Sequence, residues 1–261
     1  MPGNKPSPRA VSRIALARLR GLADPIKAAG VQRYFKHTVK AYGIAAPTVR
    51  GLAADLYKSV KASWTFDDAV ALCDSLFAEP ELEAKSVGAL VLARFKKDYP
   101  PSFFPTVKRW LAADLLDNWA SVDVFCTDAM GAFLAASPGH AEKIKSWAFH
   151  PNRWVKRASA VSFVKLARKK EFLPVIYEIA ASLFPVEDDL IHKANGWLLR
   201  EAGKADPKRL KRFLLDNGPS TLTYGRRGLL VSLFAPCPAG GSYLVFRSRA
   251  FRVASGKRSM A

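Results

Sequence analysis

A tryptophan and an aspartate stand four residues apart in Asp117-Asn118-Trp119-Ala120-Ser121-Val122-Asp123. On a helix that spacing puts both side chains on one face, one turn apart. Arg157 follows Trp119 by 38 positions, and Trp197 follows Arg157 by 40. Each step is close to the length of one helical-hairpin repeat. A stack of such repeats brings two indoles, a carboxylate and a guanidinium to one surface. Indole faces attract cations and stack on bases and sugars. A carboxylate between them favours positive charge nearby. On DNA, an alkylated purine is a cation, and loosening its glycosidic bond moves positive charge onto the deoxyribose. Asp123 could stabilise that charge and orient a water toward the anomeric carbon. The parallel with glycoside hydrolysis is one of chemistry. A cationic base leaves without a strong general acid. Arg157 could grip a neighbouring phosphate by paired hydrogen bonds. The residue types permit this chemistry without singling it out, and each has a packing alternative: Trp119 and Trp197 as core, Asp123 as a local cap or ion-pair partner, Arg157 and Lys156 as a solvated face.

Other chemistries lack support. There is no phosphate-cradling glycine loop, no Gly-x-Ser-x-Gly elbow, no His-Glu-x-x-His and no Cys-x-x-Cys. Cys73, Cys126 and Cys237 are far apart and odd in number, so buried thiols are expected, with no disulfide framework. With four scattered histidines, neither a metal site nor a cofactor is expected. Trp64, Trp110, Trp147 and Trp154 read as packing residues.

Charge points to a partner. The chain has 41 basic and 22 acidic residues, a formal charge of +19. The excess sits at the ends: +5 over residues 1–22, +4 over 23–203 and +10 over 204–261. Basic ends on a nearly balanced body suggest a polyanion, nucleic acid first. No apolar run approaches the roughly 20 residues of a membrane helix, and residues 1–8 have no apolar core of the signal-peptide kind. A cytoplasmic protein is expected.

The elements that must position these residues are helical. Val11, Ile14, Ala15, Leu19 and Leu22 set a helix over 9–22. Further helices are expected at 25–36 (loosened by Gly30), 48–60, 67–77, 81–97, 103–116, 119–135, 140–149, 153–168, 172–184, 190–202 and 207–215. Pro80, Pro100-Pro101, Pro138, Pro185 and Pro219 punctuate them. No sustained alternation of period two occurs before residue 240, so no sheet is expected. An internal repeat fits the pattern. Residues 84–92, 155–163 and 191–199 each run polar or basic, then small, then apolar, at offsets of 71 and 36. An offset of 71 is two units of 36. The expectation is an all-α fold, a short α-solenoid of antiparallel helix pairs with a concave face, rather than an irregular bundle. Residues 1–235 are expected to form one domain. Residues 236–261, with Pro236-Cys237-Pro238-Ala239-Gly240-Gly241 and a basic end, are expected to be a poorly ordered tail.

Three pieces, Trp119-Ala120-Ser121-Val122-Asp123, Trp154-Val155-Lys156-Arg157-Ala158 and Lys193-Ala194-Asn195-Gly196-Trp197-Leu198-Leu199-Arg200-Glu201, resemble the DNA alkylation repair enzyme family, the AlkD-like glycosylases built from HEAT-like repeats. Arg33-Tyr34-Phe35-Lys36, Gly43-Ile44, Pro47 and Glu81-Leu82-Glu83 are similar too, and the resemblance covers roughly residues 30–230. It departs at Ala120, where a bulkier or polar residue is frequent, and after about residue 225. The resemblance implies a monofunctional glycosylase that removes N3- and N7-alkylated purines from duplex DNA without flipping the base. By it, Trp119, Asp123 and Trp197 form the active face. Arg157 holds the backbone, beside Lys156 and Lys193, and Tyr34 and Lys36 approach the DNA. A self-contained solenoid suggests a monomer. The alternatives are a helical-repeat module that binds nucleic acid without catalysis and a protein-interaction solenoid; the charge of +19 counts against the latter.

Overall fold

In the computed structural model, residues 5–96, 99–100 and 102–217 are described. Thirteen α-helices occur among them: α1 (Pro8–Gly21), α2 (Pro25–Val31), α3 (Ala46–Val60), α4 (Phe66–Phe77), α5 (Leu82–Leu92), α6 (Phe103–Ala112), α7 (Trp119–Phe125), α8 (Gly131–Ala136), α9 (Ala141–Lys145), α10 (Arg153–Val161), α11 (Leu173–Leu183), α12 (Asp189–Ala205) and α13 (Pro207–Asp216). No strand occurs among the described residues; one isolated bridge pairs Lys40 with Glu81. The fold is all-α and solenoid-like, as the periodicity implied. None of the described helices is long and apolar enough to cross a membrane.

Helix starts are written locally. Ser7, Asp24, Asn118, Asn152, Asp188 and Asp206 each accept a backbone N–H of the first turn, and Thr65 with Asp68 forms a capping box. Several helices end earlier than their apolar stripes. The expected 25–36 helix stops at Val31 and tightens into a 3-10 turn at Gln32–Tyr34. The expected 81–97 helix becomes a 3-10 turn at Ala93–Phe95. The expected 153–168 helix ends at Val161 and continues as turns. The 119–135 helix is interrupted by a π-turn at Cys126–Met130.

The packing follows the repeat. Helix α5 packs on α7, α7 on α10, and α10 on α12, while α3 packs on α5. Helices α4 and α11 pack against this row, and α9 packs on α11. The three sequence repeats are α5, α10 and α12, and the unit skipped by the offset of 71 is α7. Small residues let the layers close: a Cβ on Gly88 of α5 would stand 3.1 Å from the Phe77 ring of α4. One hydrophobic cluster runs from Val11 to Ala202. Beneath α7, Phe77, Phe103, Trp110, Phe125 and Phe133 meet edge to face, with Phe77 and Trp110 centroids at 5.0 Å. Trp64, Trp110, Trp147 and Trp154 are all buried, as expected. The buried indole N–H groups of Trp64 and Trp110 reach the Pro6 carbonyl and the Asp74 carboxylate. Cys73 and Cys126 are buried free thiols; burial pushes the Cys126 thiol up to about 12. Cys237 and the expected 236–261 tail lie outside the described residues.

Candidate functional site

Trp119 opens α7, so the turn before it sets its position. Asn118, buried there, accepts the Ser121 N–H at 2.9 Å. The buried ammonium of Lys85 donates to the Phe77 and Leu115 carbonyls at 3.1 and 2.6 Å and pairs with Asp117 at 3.3 Å. This ties the α6–α7 connection to α5. Phe125 and Val122 face the core, which leaves Trp119 and Asp123 at the rim, one turn apart.

Asp123 and Arg157 meet there as a bidentate pair. Arg157 Nε and one terminal nitrogen donate to the two Asp123 oxygens, each at 2.8 Å. The other terminal nitrogen donates to the Leu190 carbonyl on α12. One guanidinium thus joins α7, α10 and α12. The Arg157 side chain is 5% exposed and that of Asp123 is 16% exposed. Burial pushes the Asp123 carboxyl above its ordinary value, and Arg157 opposes that rise by charge and hydrogen bonding. Sequence reasoning assigned Arg157 to a phosphate. Its buried guanidinium is instead spent on Asp123 and Leu190, because the α7–α10 contact turns both side chains toward each other. Arg157 is therefore placed as the residue that holds Asp123.

A second set of contacts joins the segment around Phe35 and Lys36 to α7 and α12. Asp189, Lys193 and Trp197 recur at four-residue steps on α12 and so share a stripe. Asp189 pairs with Lys193 at 2.9 Å and with Lys36 at 3.4 Å. Burial raises the Asp189 carboxyl, but the two ammonium groups outweigh it and hold it below the ordinary value. Beside Lys36, Phe35 stacks on the Trp119 indole, with centroids 5.0 Å apart and planes 18° from parallel. Contacts therefore run from Trp119 through Phe35, Lys36 and Asp189 to α12, and back through Arg157 to Asp123. Tyr34 projects into solvent at 68% exposure, with Arg33 over its ring. Lys156 is half-buried, and Trp197 and Trp119 are half-buried where the other four tryptophans are buried.

The 32–44 segment is held from below. Gln32 donates its amide to the Phe35 and His37 carbonyls and accepts the Val39 N–H. The buried Glu83 carboxylate on α5 accepts the N–H groups of Tyr42, Gly43 and Ile44 at 2.8, 2.8 and 3.0 Å. Gly43 has φ +77°, and a Cβ there would stand 2.4 Å from the Asp24 carbonyl oxygen, so only glycine fits. Phe35, Glu83 and Asp189 belong to this arrangement and were not singled out from sequence. Phe35 and Glu83 lie inside the segments that carry the family resemblance, but nothing in residue type or spacing sets them apart. No group of three or more histidine, cysteine or acidic side chains able to hold a metal occurs among the described residues.

Comparison with known proteins gives the family. The model of the DNA alkylation repair enzyme family matches residues 15–227. A solved structure described as a predicted DNA alkylation repair enzyme from Enterococcus faecalis is 19% identical, with a TM-score of 0.66. The alignment covers 78% of this chain and 97% of that one. At that identity the likeness is one of fold. No match was found among curated proteins. Residues 15–227 contain every element of the site, and on that match the chain belongs to the DNA alkylation repair enzyme family.

Proposed function

We propose that this protein is a monofunctional DNA glycosylase that hydrolyses the N-glycosidic bond of cationic N3- and N7-alkylated purines in duplex DNA, without flipping the base. The observation that carries the reading is the Asp123 carboxylate at the rim of the core, on the helix that Trp119 opens, held in both oxygens by Arg157 of α10. A held carboxylate needs no reorganisation as positive charge develops on the sugar. The C1′–N bond breaks with its electron pair passing to the base, which leaves neutral. The water oxygen bonds to C1′ and releases one proton. Trp119 and Trp197 present indole faces to the sugar beside the lesion. Tyr34, Lys36, Lys156 and Lys193 face the duplex in a basic concave groove of HEAT-like repeats. Arg157 is a positioning residue. The protein acts as a cytoplasmic monomer and needs no metal or cofactor.

The test is release of free 7-methylguanine or 3-methyladenine from alkylated duplex, followed against pH. The carboxylate must be ionised, so the rate falls as pH drops through the Asp123 pKa. Because burial raises that pKa, the acid limb is expected above the ordinary carboxylate value of 3.8. In Arg157→Lys the bidentate grip is lost, and the limb is expected at still higher pH, since part of the opposing interaction is gone. A purely structural role for Arg157 would leave the limb where it was. Absence of free base with the wild-type chain would refute the enzyme.

A second reading, DNA binding without catalysis, also has an observation behind it. Arg157 neutralises Asp123, so the carboxylate has a structural reason to sit at a DNA-facing rim. Binding of alkylated duplex by the wild type with no release of free base would select this reading.

A further inference from the structure

Arg157 was the sequence's phosphate grip, and its guanidinium is committed elsewhere. Whatever holds the backbone near Asp123 must come from other cations. A cleft of about 350 Å³ opens beside the π-turn, lined by Arg50, Arg94, Lys96, Thr127, Asp128 and Lys165, with Leu90 and Gly131 among its walls. Thr127 lies four residues after Asp123 and donates its hydroxyl to the Asp123 carbonyl at 2.8 Å. The cleft thus begins about 6 Å along the helix from Asp123, by a rise of about 1.5 Å per residue. Its cations come from α3, the turn after α5 and the turns after α10, all belonging to the row that carries the site.

The charges are arranged around one carboxylate. Asp128, 13% exposed at its side chain, pairs with Arg50 at 3.3 Å and with Lys165. It holds two long side chains at the cleft edge. Arg94 donates to the Leu90 carbonyl of the preceding turn, and neither Arg94 nor Lys96 has an ion pair among the described residues. Four cations and one anion leave an excess of three positive charges in an open cleft. That excess of positive charge suits a phosphodiester. Its place one turn from Asp123 suits the backbone of the same duplex that presents its sugar to Asp123.

We propose that Arg50, Arg94, Lys96 and Lys165 form the backbone-phosphate site of this protein, with Asp128 orienting Arg50 and Lys165. The proposal rests on the duplex-binding part of the function above and not on excision. The experiment measures binding of an unmodified duplex against salt for the wild type, for Arg94→Ala with Lys96→Ala, and for a control with Lys143→Ala and Lys170→Ala on the outer elements. With two phosphate contacts removed, the logarithmic salt slope is expected to shrink by roughly 1.8, at about 0.9 per contact, and affinity at low salt to fall about tenfold. The control is expected to stay within about twofold of wild type, since its charges lie away from the row. A slope equal to that of the control overturns the cleft. So does stabilisation of the wild type by inorganic phosphate that the cleft variant loses while duplex binding is unaltered, which assigns the cleft to a small anion. If the wild type releases no base, the enzyme reading fails while the salt slopes still decide the cleft.

Discussion

Asp123→Asn is expected to lower single-turnover release of 7-methylguanine by about 10²–10³-fold, the size found when one preorganised group facing transition-state charge is removed. The asparagine keeps one oxygen for Arg157, but its amide nitrogen meets the second guanidinium N–H group as donor against donor. Arg157 is left buried with its charge uncompensated. Breaking one half of a buried pair costs on the order of 3–5 kcal/mol, and the partial exposure of Asp123 places this case toward the lower end. A thermal shift is therefore expected together with the loss of rate, and the two must be separated. Asp123→Leu combined with Arg157→Met does so. Replacing both charges by apolar groups restores most of the stability, less roughly 1–3 kcal/mol for the Leu190 carbonyl that loses its donor. Its release of base is expected to remain as low as that of Asp123→Asn. Melting temperature and single-turnover release on the same samples check both statements. A double variant that excises at the wild-type rate would remove Asp123 from the chemistry.

Glu83→Gln is expected to destabilise the fold by roughly 2–4 kcal/mol and to reduce binding of duplex, although Glu83 lies in the layer below the rim. One carboxylate satisfies three consecutive backbone N–H groups at 2.8–3.0 Å. Glutamine keeps one acceptor oxygen, turns a donor toward the Tyr42 N–H and loses the charge that strengthens all three bonds. The freed segment is the one that stacks Phe35 on Trp119 and brings Lys36 to Asp189. Hydrogen exchange is expected to rise over 32–44 and to stay unchanged at Arg157, whose pair is independent of Glu83. A variant that melts lower yet binds duplex as the wild type does would take the 32–44 segment out of the DNA surface.

Much of the architecture was legible along the chain because its cause is local. A helical apolar stripe depends on residues three and four apart, and caps such as Ser7, Asn118 and Asp188 act within one turn. The repeat over 84–92, 155–163 and 191–199 was legible for the same reason: each copy must fill the layer against its neighbour, and the copies are α5, α10 and α12. The four-residue step from Trp119 to Asp123 fixed a shared face before any packing was known. Helix ends were less legible. The π-turn at 126–130 and the 3-10 turns after α2 and α5 follow from neighbours in space, which an apolar stripe does not reveal.

The sequence by itself determined the helices, their stacking order and the side chains available at one end of the row. Tertiary structure alone decided what those side chains face. A guanidinium is written identically whether it meets a phosphate or a carboxylate, and the α7–α10 contact turns Arg157 onto Asp123. Phe35 lies 84 positions before Trp119, and Asp189 lies 153 after Lys36, so neither contact has a period to announce it. Helical periodicity is set by backbone geometry within a few residues. The partner of a charged side chain is set by which helices cross, and only the packed core fixes that.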